Sequence, residues 1–423
     1  MNSGSPITLT AGRLIGGGVC LAHHDGATWM VRGALPDETV QVNVTGRRAG
    51  VVEAEAVAVV DGGHPLRMAD PCPHAPRCGG CDWPFLRGED GASLKPEMAA
   101  EAIRSVPALA AAIRSAPITA SADRARLRAR LHWDPATRSL GFRSRRSHDV
   151  EPIPECRVIS PAAAAARGAL ERSLAERCPE PAEVEWLEDL TGLRAVVGLR
   201  TARRDSGPPP PDWIPNRDDL PSTIVGAHAL SRRGARPGGW GVRELIMDLP
   251  IPLVVPLGAF FQGNRHLVPT LFARFGALVG GDNAPIWDLH AGVGFLAAAA
   301  RHGVPRPLVL SESSPVAAAA ARRNLPDATV HVGATAERTL GSHRLPAEAT
   351  VLLDPPRSGL SRRLGNQLLE RRPRCIVMMS CNVATWARDT KRLQEGGYEI
   401  SHLELFDLFP MTHHVEVLSV LVR

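Results

Sequence analysis

The sequence predicts an α/β protein of three domains, the last a doubly wound sheet, and three observations carry that prediction. From about Leu253 to the end, short apolar runs of strand length alternate with segments of helical composition. That is the pattern of a sheet covered on both faces by helices. Residues 6 to about 65 read instead as short strands spaced by Gly, Asp and Pro, which suggests a small OB-like β-barrel. A chain of 423 residues is also too long for one ordinary core. The domains expected are a β-barrel over 1–65, a central α+β domain over 66–252, and the α/β domain over 253–423.

The apolar fraction, 44%, is that of a globular protein. No stretch is long and apolar enough to span a bilayer, and the first ten residues lack the regions of a signal peptide. The chain reads as a soluble, cytoplasmic monomer. Net charge is +5, and Lys95 and Lys391 are the only lysines, so the other basic residues are arginine. Arginine's planar fork suits phosphate and base edges, although a GC-rich genome produces the same bias. Eight cysteines in a cytosolic chain do not suggest disulfides.

In the first domain the expected strands are Ile7 to Leu9, Cys20 to Ala22, Thr28 to Val31, Glu38 to Val44 and Val51 to Val60. A Gly16-Gly17-Gly18 turn follows the first of them. Residues 71–83 then read P-C-P-H-A-P-R-C-G-G-C-D-W. Cys72, Cys78 and Cys81 can converge on one metal centre, because Gly79 and Gly80 let the backbone fold tightly. Cys156 is the well-placed fourth ligand. Four thiolates fit zinc or a [4Fe–4S] cluster; the C-x5-C-x2-C spacing, unlike paired C-x2-C hooks, favours the cluster. Cys20, Cys178 and Cys375 are read as structural.

Over Ala122 to Leu131, arginines 124, 126, 128 and 130 alternate with Ala125, Leu127, Ala129 and Leu131. At strand period this makes one basic and one apolar face, the basic one either a solvated surface or, the favoured reading, a phosphate-contacting strip. Ser160 to Arg177 reads as an Ala-rich helix, and residues 201–221 as an exposed Pro-rich loop.

The last domain opens with G-A-F-F-Q-G-N, residues 258–264, and a helix from His266. Ile286 to Leu289 is its first strand, followed by H-A-G-V-G-F-L. Gly292 and Gly294 let a ligand approach the backbone, but the third glycine of a dinucleotide fingerprint is missing. Strand Leu308 to Leu310 ends near Glu312, where an acid can take ribose hydroxyls. A glycine loop followed by such an acid is the shape of an S-adenosylmethionine site. Val351 to Leu353 ends in D-P-P-R-S-G-L, with Asp354 at the tip. Ile376 to Met379 ends at Ser380, placing Cys381 at a strand tip ahead of a helix, where the helix dipole favours a thiolate. Glu416 opens the final strand, either as an edge charge or as a buried base.

Six motifs now stand in order: C-x5-C-G-G-C with a later Cys, F-F-Q-x-N, D-L-x-A-G-V-G, D-P-P-R-x-G-L, S-C-N-x-A-T-x-A-R-D and H-V-E. Together they resemble the S-adenosylmethionine-dependent RNA uracil-C5 methyltransferases, over nearly the whole chain. The resemblance implies a TRAM-like barrel that binds RNA, a cluster-bearing central domain and a class I (Rossmann-like) methyltransferase domain. It implies Cys381 as nucleophile and Glu416 as base, with Gln262, His290, Glu312 and Asp354 in the cofactor or uracil site. It also implies Cys72, Cys78, Cys81 and Cys156 as ligands of [4Fe–4S]. Ribosomal RNA is the favoured substrate and transfer RNA the second. Four places depart from the family pattern: His290 replaces an aromatic, Ala334 an acid and His413 a proline, and Asp82-Trp83-Pro84-Phe85 replaces a glutamine-rich stretch. A rival of another class, a non-catalytic RNA-binding protein with a structural metal site, rests on the altered glycine loop alone.

Overall fold

The structure, a computed structural model, describes residues 7–75, 77–202, 207–231 and 238–423. Residues 203–206 of the expected Pro-rich loop lie outside the described residues. The N-terminal part is a six-stranded sheet in the order Ile7–Thr10, Thr39–Arg48, Val51–Asp61, Ala27–Arg32, Val19–His24, Leu14–Ile15. Strand alternation buries Cys20, Ala22, Trp29, Val31, Val40, Val42, Val52 and Ala54 in one core. Trp83, from the cysteine-rich segment, packs into the same core and donates its indole N–H to Gly18 O at 3.1 Å.

The central part is a seven-stranded sheet, ordered Val150–Pro152, Ser139–Arg143, Arg128–Asp134, Ala182–Glu188, Ala195–Thr201, Ile224–Ala229, Gly239–Gly241. Helix Pro161–Arg177 begins where Ser160 Oγ accepts from Ala163 N at 3.0 Å, an N-cap of the usual kind. The arginine strip differs from the expected strand over Ala122 to Leu131. The strand starts only at Arg128, Arg124 sits in the left-handed region at φ 58°, and Arg126 makes isolated bridges to Ile159 and Asn264. The cause is non-local: Arg124 and Arg126 donate to the carbonyls of Arg157 and Val158, and Leu127 to that of Gly263. The alternation itself holds, with Ala125, Leu127, Ala129 and Leu131 buried.

The C-terminal part is a mixed eight-stranded sheet. Its order is Thr329–Val332, Leu308–Glu312, Ile286–Asp288, Thr350–Leu353, Cys375–Ser380, Glu416–Val422, Glu399–Phe406, Ile118–Thr119. The first five strands run parallel, and Glu416–Val422 pairs antiparallel with both neighbours. Strand Cys375–Ser380 is buried throughout: Val377 and Met379 face one core, Ile376 and Met378 the other. Helices Val268–Val279, Phe295–Arg301 and Pro315–Asn324 cover the first face. Ala336–Ser342, Arg362–Arg371 and Val383–Glu395 cover the second, joined there by Lys95–Ala102 and Pro107–Ser115 from much earlier in the chain. This is a doubly wound, Rossmann-like arrangement, whose carboxyl strand ends are the place for a ligand.

Candidate active site

At those strand ends the structure brings together Gln262, His290, Glu312, Asp354, Cys381 and Glu416 around one cavity of about 1020 Å³. Asp354 and Cys381 each follow the last residue of a parallel strand. Glu416 opens an antiparallel one whose Val417 pairs with Ser380, so the cysteine and the glutamate flank the same strand end. Gly292 and Gly294 both take positive φ, 56° and 89°. Glu312 holds that loop: its Oε2 accepts from Gly292 N at 2.8 Å and its Oε1 from Ser314 N at 2.6 Å. Gln262 Nε2 donates to Asp354 Oδ2 at 3.0 Å.

Burial dominates the electrostatics. It pushes the Asp354 carboxyl up to about 7 and the Glu416 carboxyl well above its usual range, where the nearby Asp354 adds to the rise. His290 is half-buried, and desolvation lowers its imidazole below the usual range. The Cys381 thiol is pushed up to about 11, first by burial and then by Glu416 and Asp354, with Arg357 opposing. This corrects the expectation of a thiolate favoured by the helix dipole. Asn382 caps helix Val383–Glu395 itself, its Oδ1 accepting from Ala384 N at 3.0 Å and Thr385 N at 3.3 Å, so these N–H groups are already satisfied.

A second, smaller pocket lies beside the first and is lined by Cys72, Cys78, Cys81 and Cys156 together with Phe142, Ile153 and Met411. Gly80, Arg126 and Val158 form part of the wall of both. Burial raises the Cys72, Cys78 and Cys81 thiols, Cys81 to about 12, and nearby Cys156 adds to each. Among the described residues no group of three or more His, Cys, Asp or Glu is gathered so as to hold a metal ion. The donor types still suit a thiolate-bound centre, since all four cysteines line one enclosure and Gly80 N donates to Cys78 Sγ at 3.4 Å. Cys20, Cys178 and Cys375 are buried and line neither pocket.

Comparison with known proteins decides the family. A family model described as tRNA (Uracil-5-)-methyltransferase matches residues 341–423, the stretch that carries Asp354, Cys381 and Glu416. The chain is 30% identical over 450 residues to an RNA methyltransferase of Streptomyces avermitilis, covering 99% of this chain and 98% of that protein. It is 29% identical over 425 residues to the 23S rRNA (uracil(1939)-C(5))-methyltransferase of Pseudomonas fluorescens, covering 97% and 93%. The chain belongs to the RNA uracil-C5 methyltransferase family. Its fold also matches a Pyrococcus abyssi tRNA (uracil-54, C5)-methyltransferase solved with S-adenosyl-L-homocysteine, at a TM-score of 0.73 and 22% identity over 98% of this chain and 100% of that one.

Sequence reasoning missed several residues of this methyltransferase's cavity. Arg357, inside D-P-P-R, supplies the positive charge felt by both Cys381 and Glu416. Phe260 lines the cavity while 61% exposed, with the Arg128 guanidinium 5.9 Å from its ring centroid. Both lay within quoted motifs, so an exposed aromatic beside Gln262 was the available signal. Asp82, His413 and His414 also line the cavity; the first two were seen only as departures from a pattern.

Proposed function

We propose that this enzyme transfers a methyl group from S-adenosylmethionine to C5 of a uridine in RNA, through a covalent adduct between Cys381 and C6. The observation that carries the reading is the one cavity lined by the Gly292 turn, by Glu312 that holds it, and by Cys381 and Glu416. Uracil C5 is a weak nucleophile. Addition of ionised Cys381 at C6 makes the ring an enolate whose C5 attacks the sulfonium methyl. Glu416, as carboxylate, then removes the C5 proton and Cys381 leaves. Gln262 and Asp354 are assigned to the uracil edge, where donors aid the enolate oxygen; His290 and Glu312 are assigned to the cofactor. A positively charged sulfonium in the cavity favours the ionised forms of both Cys381 and Glu416.

Ribosomal RNA is the favoured substrate, supported by the near full-length likeness to the 23S rRNA enzyme; transfer RNA comes second. The target base must leave its stack to enter the cavity, and Arg126 and Arg128 stand on its wall to take phosphates. The N-terminal sheet is read as a TRAM-like barrel, and the protein as a cytoplasmic monomer. Among the described residues no helix is long and apolar enough to cross a membrane. Cys72, Cys78, Cys81 and Cys156 would hold a [4Fe–4S] cluster that ties the segment 72–81 to Cys156; zinc is the weaker fit. Labelled S-adenosylmethionine and unmodified ribosomal and transfer RNA test the reading, with 5-methyluridine expected at one ribosomal site. Absence of 5-methyluridine from both RNAs sinks it. Anaerobically purified protein is expected to be brown, with about four irons per chain; colourless, zinc-loaded protein sinks the cluster assignment.

A further inference from the structure

Asp82 directly follows the third cysteine of the C-x5-C-G-G-C run and stands on the cavity wall. Its two oxygens reach different parts of the chain. Oδ1 accepts from Arg32 of strand Ala27–Arg32, in the N-terminal sheet, at 2.9 Å. Oδ2 accepts from the backbone N–H of His413 at 3.0 Å and lies 2.6 Å from His413 Nδ1. Beside it the N–H groups of Asp82 and Trp83 both donate to Met411 O at 3.0 Å. Gly18 closes over this contact at φ 70°, where a Cβ would stand 3.1 Å from His413 and 3.2 Å from Asp82. Lys95 holds both ends of the same segment, its Nζ donating to Asp407 Oδ1, Phe409 O and His414 O.

Residues 407–415 lead straight into Glu416 and form no helix or strand of their own. A loop without a ladder is placed by what it is bonded to, and here the bonds come from Lys95, from Asp82 and Trp83, and from Asn264 and Arg357, which reach Leu408 O and His414 Nε2. We propose that Asp82 is a positioning residue for Glu416, holding its segment in register with the cysteine-bearing segment and the N-terminal sheet. The inference rests on the reading of Glu416 as the base of the last step. It has a specific kinetic consequence. A displaced Glu416 leaves Cys381 addition and methyl transfer intact but slows loss of the C5 proton, so the covalent adduct outlives its formation.

The test is single-turnover reaction of the full chain with labelled S-adenosylmethionine and substrate RNA, following both released product and the gel-shifted adduct. For Asp82→Ala, product release is expected to slow by about tenfold to a hundredfold, the scale of a small misplacement in an active site, while adduct accumulates and cofactor binding is kept. His413→Ala should act in the same direction, and adding it to Asp82→Ala should cost little more, since the two share one contact. Asp82→Asn, which keeps one acceptor oxygen for the His413 N–H and gives up the acceptor for Arg32, should restore part of the release rate. If adduct and product fall together in both single variants, or neither changes, the inference is overturned while the wild-type reaction stands. If the wild type forms neither product nor adduct, the underlying reading fails and takes this inference with it.

Discussion

Cys381 rests as a thiol, and that decides how the reaction should depend on pH. With its thiol pushed up to about 11, Cys381 holds a proton that the proposed addition requires it to lose, and burial raises the Glu416 carboxyl in the same direction. The rate of adduct formation is therefore expected to climb with pH across the neutral range, and single-turnover rates at stepped pH check it; a flat profile would contradict the thiol form. Cys381→Ala should abolish product while calorimetry still detects S-adenosylmethionine binding. The sequence made these residues legible as positions, because a cysteine and carboxylates at strand tips read from local pattern alone. Protonation was not legible, since Asp354, Cys381 and Glu416 lie far apart in the chain and burial is a property of the assembled cavity. Asp288 gives a second test of the same physics. Burial holds its carboxyl at about 8, above the ordinary 3.8, so its contribution to stability is complete at low pH and lost as pH rises through the folded value. Between about pH 4 and 8 the wild type should lose up to about 1.4 kcal/mol per pH unit from this group. Asp288→Asn, which keeps the shape and the acceptor for Ala297 N, should flatten that slope in denaturant melts.

At the scale of the element, strand Arg128–Asp134 shows how a regular pattern can carry unequal residues. The period-two alternation of arginines with Ala and Leu was visible in the sequence, and the apolar half is buried as it implied. Two things were hidden. The strand's start is set by backbone pairing with residues 157, 158 and 263, partners that no local pattern reveals. The arginines also end in different company: Arg126 and Arg128 reach the cavity wall, whereas Arg130 lies 3.5 Å from Glu185 and 3.9 Å from Glu183. A neutralised guanidinium releases few counterions from RNA. Arg128→Ala is thus expected to weaken RNA binding across sequences and to reduce the slope of log K against log salt by about 0.7 to 0.9. Arg130→Ala should leave that slope within error, and equal slopes for the two variants would restore a uniform strip.

Over the whole molecule, the catalytic sheet is not the property of the last 171 residues alone. Its edge strand is Ile118–Thr119, which pairs with Leu405 and Phe406, and helices Lys95–Ala102 and Pro107–Ser115 cover one of its faces. The tie between them is Lys95, fully buried and 312 positions from its partner Asp407, at 2.5 Å. Sequence reading saw Lys95 only as one of two lysines, because a contact across that separation leaves no periodic trace. Burial works against both charges, lowering the lysine and raising the aspartate; each is sustained by the other, and the lysine also by the carbonyls of Phe409 and His414. Removing one partner strands the other: Lys95→Met is expected to cost about 3 to 5 kcal/mol, read from the denaturant midpoint. Replacing both, as Lys95→Met with Asp407→Leu, should recover much of that loss, because two well-packed apolar groups avoid the desolvation cost. The same logic applies to a fragment of residues 253–423. It lacks the lysine, the edge strand and the helices that shield Leu405 and Val417, so it should melt without a cooperative transition by circular dichroism. A fragment that unfolds as sharply as the full chain would mean that the early helices only decorate the sheet, and that the catalytic half stands without them.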